Sequence, residues 1–100
     1  MSTEITDTIT WNEGGAASVR TAREIEVVVR SSVPYPPGKP AGGTLRHDTQ
    51  SLAFTLKVAR SQKVSEGLWD VRGRLLDATV AVRAAFAAQS ARVAELTVTE

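Results

Sequence analysis

The chain has 100 residues, of which 12 are basic and 11 acidic, and it has no cysteine. This length predicts one small domain over residues 1–100, with a thin core that oligomerisation would help to complete. The near-neutral charge excludes a global attraction to nucleic acid, so any such site must be local, and the lack of cysteine excludes disulfides and thiolate metal ligands.

The amino terminus and the hydropathy of the chain bear on its compartment. The first residues are acidic and polar, unlike a secretory signal, and no run of 18 apolar residues is present. The sequence therefore predicts a soluble intracellular product that does not span a membrane.

The first third of the chain is typical of strands. In Glu4–Trp11 the isoleucines and the tryptophan share one parity and the threonines the other, which indicates a half-buried strand with a hydroxyl-lined face. Asn12–Gly15 is a turn signal, and Ala16–Thr21 is a short strand or the return arm of a hairpin. Arg23–Ser32 contains a run of valines, which favours strand because β-branched side chains lose χ1 freedom in helices.

Val33–Gly43 holds all four prolines and three of the seven glycines. This composition predicts an exposed loop rather than a domain boundary, because neither flank is large enough to fold alone. Its two PxxP spacings, Pro34–Pro37 and Pro37–Pro40, also fit a polyproline ligand for an SH3-type groove, although a loop that links two strands is the more common role.

The chain is organised around Ser51–Leu96, where the hydrophobic period changes. Ser51–Ser61 alternates with period two, as a half-buried strand does, and from Val64 the apolar residues recur at steps of three and four. Together with the many alanines beyond Ala78, this pattern predicts a helical region over about residues 62–94.

A helix of that length would extend beyond the strands of one chain. We therefore expect it to break near Asp77–Val80 and its distal half to pack on a second copy, with Val82 and Phe86 at the dimer interface. Trp69, beside the apolar stripe, is expected in the core or at the same interface. A single long helix in a dimeric coiled coil is the alternative, for which the alanines make a poor seam.

These elements predict an α+β fold, with strands over about residues 4–60 in an antiparallel sheet, carboxyl-terminal helices packed on one face, and dimerisation completing the core. The other face would stay open and carry hydroxyls and a few cations: Thr6, Thr8, Thr10, Arg30, Ser51, Thr55 and Lys57. Such a face is often only solvated, and Glu24 and Glu26 count against an anion site. Its functional interpretation is a platform on which cations contact phosphates and hydroxyls add hydrogen bonds.

Enzyme signatures are missing from the sequence. His47 is the one histidine, and it lies beside Asp48, as in a surface pair more often than in a catalytic one. A metal site would need further ligands, and no phosphate-binding or nucleophile motif occurs. The sequence therefore predicts no enzyme activity, no cofactor, no metal and no small-molecule substrate.

The segments REIEVVVRSSVPYPPG and QSLAFTLKVARS, followed by the helical run from Val64, give the order strand, proline-rich loop, strand, helices. In this order, over Thr6–Gln89, the chain resembles the coat proteins of single-stranded RNA bacteriophages. The resemblance implies a homodimer whose sheets join and whose helices cross over the partner. It further implies an icosahedral shell in the virion, made in the host cytoplasm, with genomic RNA bound on the open sheet face by Arg30, Thr55 and Lys57.

The chain departs from this family by being short, and the family's amino-terminal hairpin is reduced or missing unless Ala16–Thr21 or the final ELTVTE replaces part of it. The alternative comes from another class of protein. It is a small dimeric protein-binding or regulatory module in the cytoplasm, which uses the proline-rich segment or the sheet face for a protein partner.

Overall fold

The computed structural model describes the backbone of residues 7–97 and the side chains of residues 7–92. The start of the first predicted strand, Glu4–Thr6, and the last three residues of the ELTVTE segment lie outside the described residues. Six antiparallel strands form a closed barrel, and one helix follows. The elements are β1 (Ile9–Trp11), β2 (Ala16–Arg23), β3 (Glu26–Ser31), β4 (Pro40–His47), β5 (Gln50–Ser65), β6 (Leu68–Leu76) and α1 (Val80–Thr97).

The barrel consists of two three-stranded meanders, β1-β2-β3 and β4-β5-β6. They join along two seams, where β1 pairs with β4 and β3 pairs with β6, all antiparallel. Closure satisfies the backbone groups that an open sheet would leave unpaired at its edges. β5 is the longest strand, with 16 residues. Two register shifts against β6, at Val58/Arg60 and Lys63/Ser65, bend it along the barrel wall.

Strand alternation fills the barrel with apolar side chains. Alternate residues of each strand point inward and are buried: Ile9, Trp11, Ala17, Val19, Val27, Val29, Ala41, Leu45, Phe54, Leu56, Val58, Val71 and Leu75. The residues between them face solvent on the outer surface of the barrel. The outer surface is therefore where the polar and charged strand residues lie.

An aromatic row runs through the barrel from end to end. Tyr35 packs edge-to-face on Trp11 with ring centroids 5.1 Å apart, Trp11 on Phe54 at 5.9 Å, and Phe54 on Phe86 at 5.2 Å. Tyr35 belongs to the loop of residues 32–39, hereafter the proline loop, which precedes β4, whereas Phe86 belongs to α1, which packs where β4 ends. The proline loop and the helix therefore cap opposite ends of the barrel.

Polar side chains fix α1 to its end of the barrel. The Gln89 side chain accepts a hydrogen bond from Thr8 Oγ1 at 2.7 Å, donates one to the Arg46 carbonyl at 2.9 Å, and lies 3.2 Å from His47 Nδ1. Ser90 Oγ accepts from the Ala22 amide at 3.1 Å. His47 therefore takes part in attaching the helix, and its contact with the Asp48 carboxylate is long, at 3.8 Å.

The predicted α+β fold is wrong, because the sheet closes into a barrel and a single helix follows it. The error lies in the predicted helical region at residues 62–94. Its first part completes β5 and forms β6, and only the part from Val80 is helical. The predicted break near Asp77–Val80 instead separates a strand from the helix. There Thr79 Oγ1 accepts from the Val82 amide at 3.2 Å, as the N-cap of α1.

Gly73 interrupts the alternation of apolar residues in β6. The inward positions of β6 are Trp69, Val71, Gly73 and Leu75. A Cβ at Gly73 would lie 2.5 Å from the Lys57 carbonyl oxygen, so the close approach of β5 and β6 admits only glycine there. With a glycine in place of an apolar residue the alternation is broken, and the steps of three and four from Val64 indicated a helix instead.

This packing also removes the reason for which Val82 and Phe86 were predicted at a dimer interface. Within the single chain Val82 is 4% exposed and Phe86 is 0% exposed. The end of the barrel therefore already covers these two side chains, which were expected to extend beyond the strands of one chain. Trp69 is half-buried and packs against the same core. Dimerisation stays a prediction, but the argument from helix length no longer supports it.

Candidate anion-binding groove

A groove of about 700 Å³ crosses the outer surface of four neighbouring strands, in the order β2, β3, β6, β5. Strand pairing aligns three-residue stretches of each strand across it, so the groove runs at right angles to the strands. It is lined by residues 21–23, 26–28, 72–74 and 57–59. We call it the basic groove, because of its charges.

Four cations and one carboxylate line the basic groove, namely Arg23, Lys57, Arg72, Arg74 and Glu26. All five are exposed. Among the side chains of residues 7–92, none of the four cations has a carboxylate within ion-pairing distance. Since the whole chain carries a formal charge of only +1, positive charge is concentrated at this place and balanced elsewhere.

The cations of β5 and β6 lie opposite one another. Lys57 pairs in register with Arg74, and Arg60, which flanks the groove, pairs with Arg72. Like charges directly opposite on one sheet face repel and destabilise the pairing. On β3, Glu26 lies opposite Arg74 of β6 on one side and Arg23 of β2 on the other. Its carboxylate therefore reduces the repulsion between cations on the β3 side of the groove only.

The floor between the charges is small and partly apolar. Thr21, Ala22, Val28 and Ala59 contribute to it, and no aromatic ring is among the lining residues. A planar ligand would find no aromatic stacking partner there, whereas an anionic group would be surrounded by cations. The arrangement therefore suits phosphate or carboxylate groups more than rings.

Of the three predicted RNA-binding residues, only Lys57 lies in this groove. Arg30 is on the outer surface of β3, but its guanidinium makes a two-point ion pair with Asp70, with Nε–Oδ1 at 2.9 Å and Nη2–Oδ2 at 3.3 Å. The Asp70 carboxylate is therefore paired with Arg30 and not with Arg74. Thr55 is half-buried opposite Leu76, beyond the groove.

The sequence interpretation missed Arg23, Arg72 and Arg74. Arg72 and Arg74 lie in the region that was predicted to be helical, and on a helix they would lie on different faces. The signal that could have revealed them is the alternation of charge from Asp70 to Arg74, which has the period of a strand.

The remaining polar groups support the fold. Ser31 Oγ accepts from Trp11 Nε1 at 3.0 Å inside the barrel. Burial, and then the nearby Glu13 carboxylate, raise the pKa of Tyr35 above its usual value, so the phenol of this proline-loop residue stays protonated.

Within residues 7–92 no three or more His, Asp or Glu side chains gather in a metal-binding arrangement. The one helix in the described part of the chain is too polar to cross a membrane. Comparison of the chain with protein-family models, with curated proteins and with solved structures gave no match.

Proposed function

We propose that the chain binds single-stranded RNA through the basic groove. The observation that carries the proposal is that strand register places cations opposite each other on β5 and β6, Lys57 opposite Arg74 and Arg60 opposite Arg72. Each pair costs stability in the free protein, because the two cations repel. A phosphate between them turns the repulsion into attraction, and a nucleic acid strand presents phosphates in a row.

The spacing of the two pairs supports this ligand. Arg72 and Arg74 are two residues apart on β6 and point to the same side, so they are separated by about 6.6–6.8 Å at the rise of a strand. Neighbouring phosphates of an extended strand are a comparable distance apart. Because both cation pairs lie on paired strands of a closed barrel, the spacing of their Cα atoms is fixed before the ligand arrives.

The character of the floor sets the expected mode of binding. Without an aromatic ring the groove offers bases no aromatic platform, so the contacts go mainly to the phosphate backbone and tolerate different sequences. The hydroxyl of Thr21, which lines the groove, offers a partner to the ribose 2′-OH that DNA lacks. Affinity is therefore expected to fall steeply with salt and to favour RNA modestly over DNA.

Assembly into a shell stays a prediction of the coat-protein resemblance, and the fold gives it no support. In that family the sheets of two copies join along free strand edges, whereas the described strands close into a barrel and only β5, beyond Lys57, extends past its β4 partner. RNA binding does not depend on this joining, because the basic groove lies within one chain.

The test is a salt titration of affinity, measured by fluorescence anisotropy with a labelled oligouridylate. Wild type is compared with Lys57→Ala and Arg74→Ala, and Arg83→Ala is the matched control, because Arg83 is an exposed arginine on α1 away from the groove. For single strands, each lost phosphate contact should make the slope of log K against log salt shallower by about 0.7.

The control decides what the result means. Equal slopes for wild type and both groove variants would overturn the proposal, as would an Arg83→Ala variant that loses as much as Arg74→Ala. The same titration with oligodeoxyuridylate, repeated with Thr21→Val, tests the contribution of the ribose hydroxyl.

A further inference from the structure

The proline loop is held against the barrel at both ends and in its middle. At its start, Ser31 Oγ donates to the Val33 carbonyl at 2.6 Å and accepts from the Val33 amide at 3.0 Å. At its end, the Gly38 amide donates to the Val58 carbonyl at 2.7 Å. Between these points the Tyr35 ring is buried on Trp11. The loop therefore presents its other side chains in one fixed arrangement.

Those other side chains are prolines, and they face solvent. Pro34, Pro36 and Pro37 are exposed on either side of the buried Tyr35. Proline fixes its own φ near −65° and pushes the residue before it toward extended or polyproline II conformations. A polyproline II helix has three residues per turn. At this period Pro34 and Pro37 share one edge, whereas the Tyr35 ring between them contacts the barrel.

The structure also separates the two PxxP spacings of the sequence. Gly38 has φ +88°, and the Lys39 amide donates to the Pro36 carbonyl at 3.2 Å, so Pro36–Lys39 is a tight turn with Pro37 and Gly38 at its centre. Pro40 then begins β4, where it pairs with Lys57. The turn ends any polyproline helix before Pro40. Only the Pro34–Pro37 spacing is presented as a ligand.

We propose that the segment Pro34–Lys39 is a docking site for a protein domain of the SH3 type, whose aromatic-lined groove takes polyproline II segments and whose rim is acidic. A loop already held against the barrel by these contacts loses little entropy on binding. Lys39 follows the spacing by two residues, and its ammonium is partly exposed, with only a 3.8 Å contact to the exposed Glu13 carboxylate. A carboxylate on the partner would supply a closer ion pair.

A purely structural role for the prolines would leave part of this arrangement unexplained. Prolines in a capping loop can stabilise a fold by restricting the unfolded chain. That role requires neither the uncovered rings of Pro34 and Pro37 nor a lysine beyond them. The docking role uses both, and it involves a surface distinct from the basic groove.

The test is an NMR titration of the ¹⁵N-labelled chain with a panel of SH3 domains that have acidic groove rims. Each domain is repeated with its groove tryptophan replaced by alanine. Because prolines lack an amide proton, the reporters are the amides of Val33, Tyr35, Gly38 and Lys39. We expect saturable shifts confined to these amides and their neighbours, and none with the groove-mutant domains.

Variants of the chain separate docking from stability. Pro34→Ala/Pro37→Ala and Lys39→Glu should each weaken binding at least about tenfold, the latter with both prolines in place. Pro40→Ala, the matched control in β4, should leave binding unchanged. Unperturbed amides elsewhere in the spectrum check that each variant is folded. The absence of loop shifts with every domain would overturn the proposal, and so would binding that survives in Pro34→Ala/Pro37→Ala.

Discussion

The substitution Phe86→Ala tests whether the helix is part of the barrel core. Phe86 has no exposed surface and packs edge-to-face on Phe54 with ring centroids 5.2 Å apart. Truncating a buried phenylalanine to alanine costs roughly 3–5 kcal/mol. The better helix propensity of alanine returns about 0.5 kcal/mol. A net loss of roughly 2.5–4.5 kcal/mol is a large fraction of the 5–15 kcal/mol that is typical of a domain.

The assay is urea unfolding followed by circular dichroism, repeated across about a hundredfold range of protein concentration. The loss should be the same at every concentration, because the Phe86 ring is covered by its own chain. In thermal unfolding it corresponds to a Tm lower by roughly 10–35 °C. Arg83→Ala, one turn earlier on the exposed side of α1, should change stability by no more than about 0.5 kcal/mol.

Two results would refute this reasoning about Phe86. A loss below about 1 kcal/mol would mean that the helix does not pack on the barrel as described. A loss that grows on dilution would mean that a second copy covers the ring, as the sequence alone had led us to expect.

Three further substitutions test separate features. Gly73→Ala should destabilise the fold by about 1–3 kcal/mol in urea unfolding, since the added Cβ meets the Lys57 carbonyl oxygen. Glu26→Gln should tighten RNA binding in the anisotropy assay and leave the salt slope nearly unchanged, because it removes a repulsive carboxylate but no phosphate contact. Burial raises the pKa of Tyr35, so its protonated form stabilises the fold and this stability is lost as pH rises above the ordinary value of 10.0. Tyr35→Phe should unfold with a flatter dependence on pH above that value.

Strands with strict alternation were predictable from the sequence. Arg23–Ser32 and Ser51–Ser61 contain β3 and most of β5, and the turn signal at Asn12–Gly15 falls between β1 and β2. In these segments one face of the strand is buried, so apolar residues recur at every second position of the sequence. The loop predicted over Val33–Gly43 was wrong at its end, because Pro40–Gly43 begins β4 and its two glycines lie within that strand.

Closure of the barrel could not be predicted, because it depends on one strand. Once residues 68–76 are a strand, they pair with β3 on one side and β5 on the other, and the second seam follows. That strand carries a glycine at an inward position for a reason that only its neighbour reveals, namely the Lys57 carbonyl. A local pattern cannot report a contact with a strand some fifteen residues away.

The basic groove depends on the same pairing. Its cations come from β2, β5 and β6, and they meet only because the seam between β3 and β6 joins the two meanders. Parity alone placed Lys57 and Arg30 on the outer surface, but parity cannot distinguish a cation that has a carboxylate across the strand from one that faces another cation. Arg30 faces Asp70, whereas Lys57 faces Arg74. The register of the barrel, and not the composition of the chain, therefore determines which cations face a carboxylate and which face another cation.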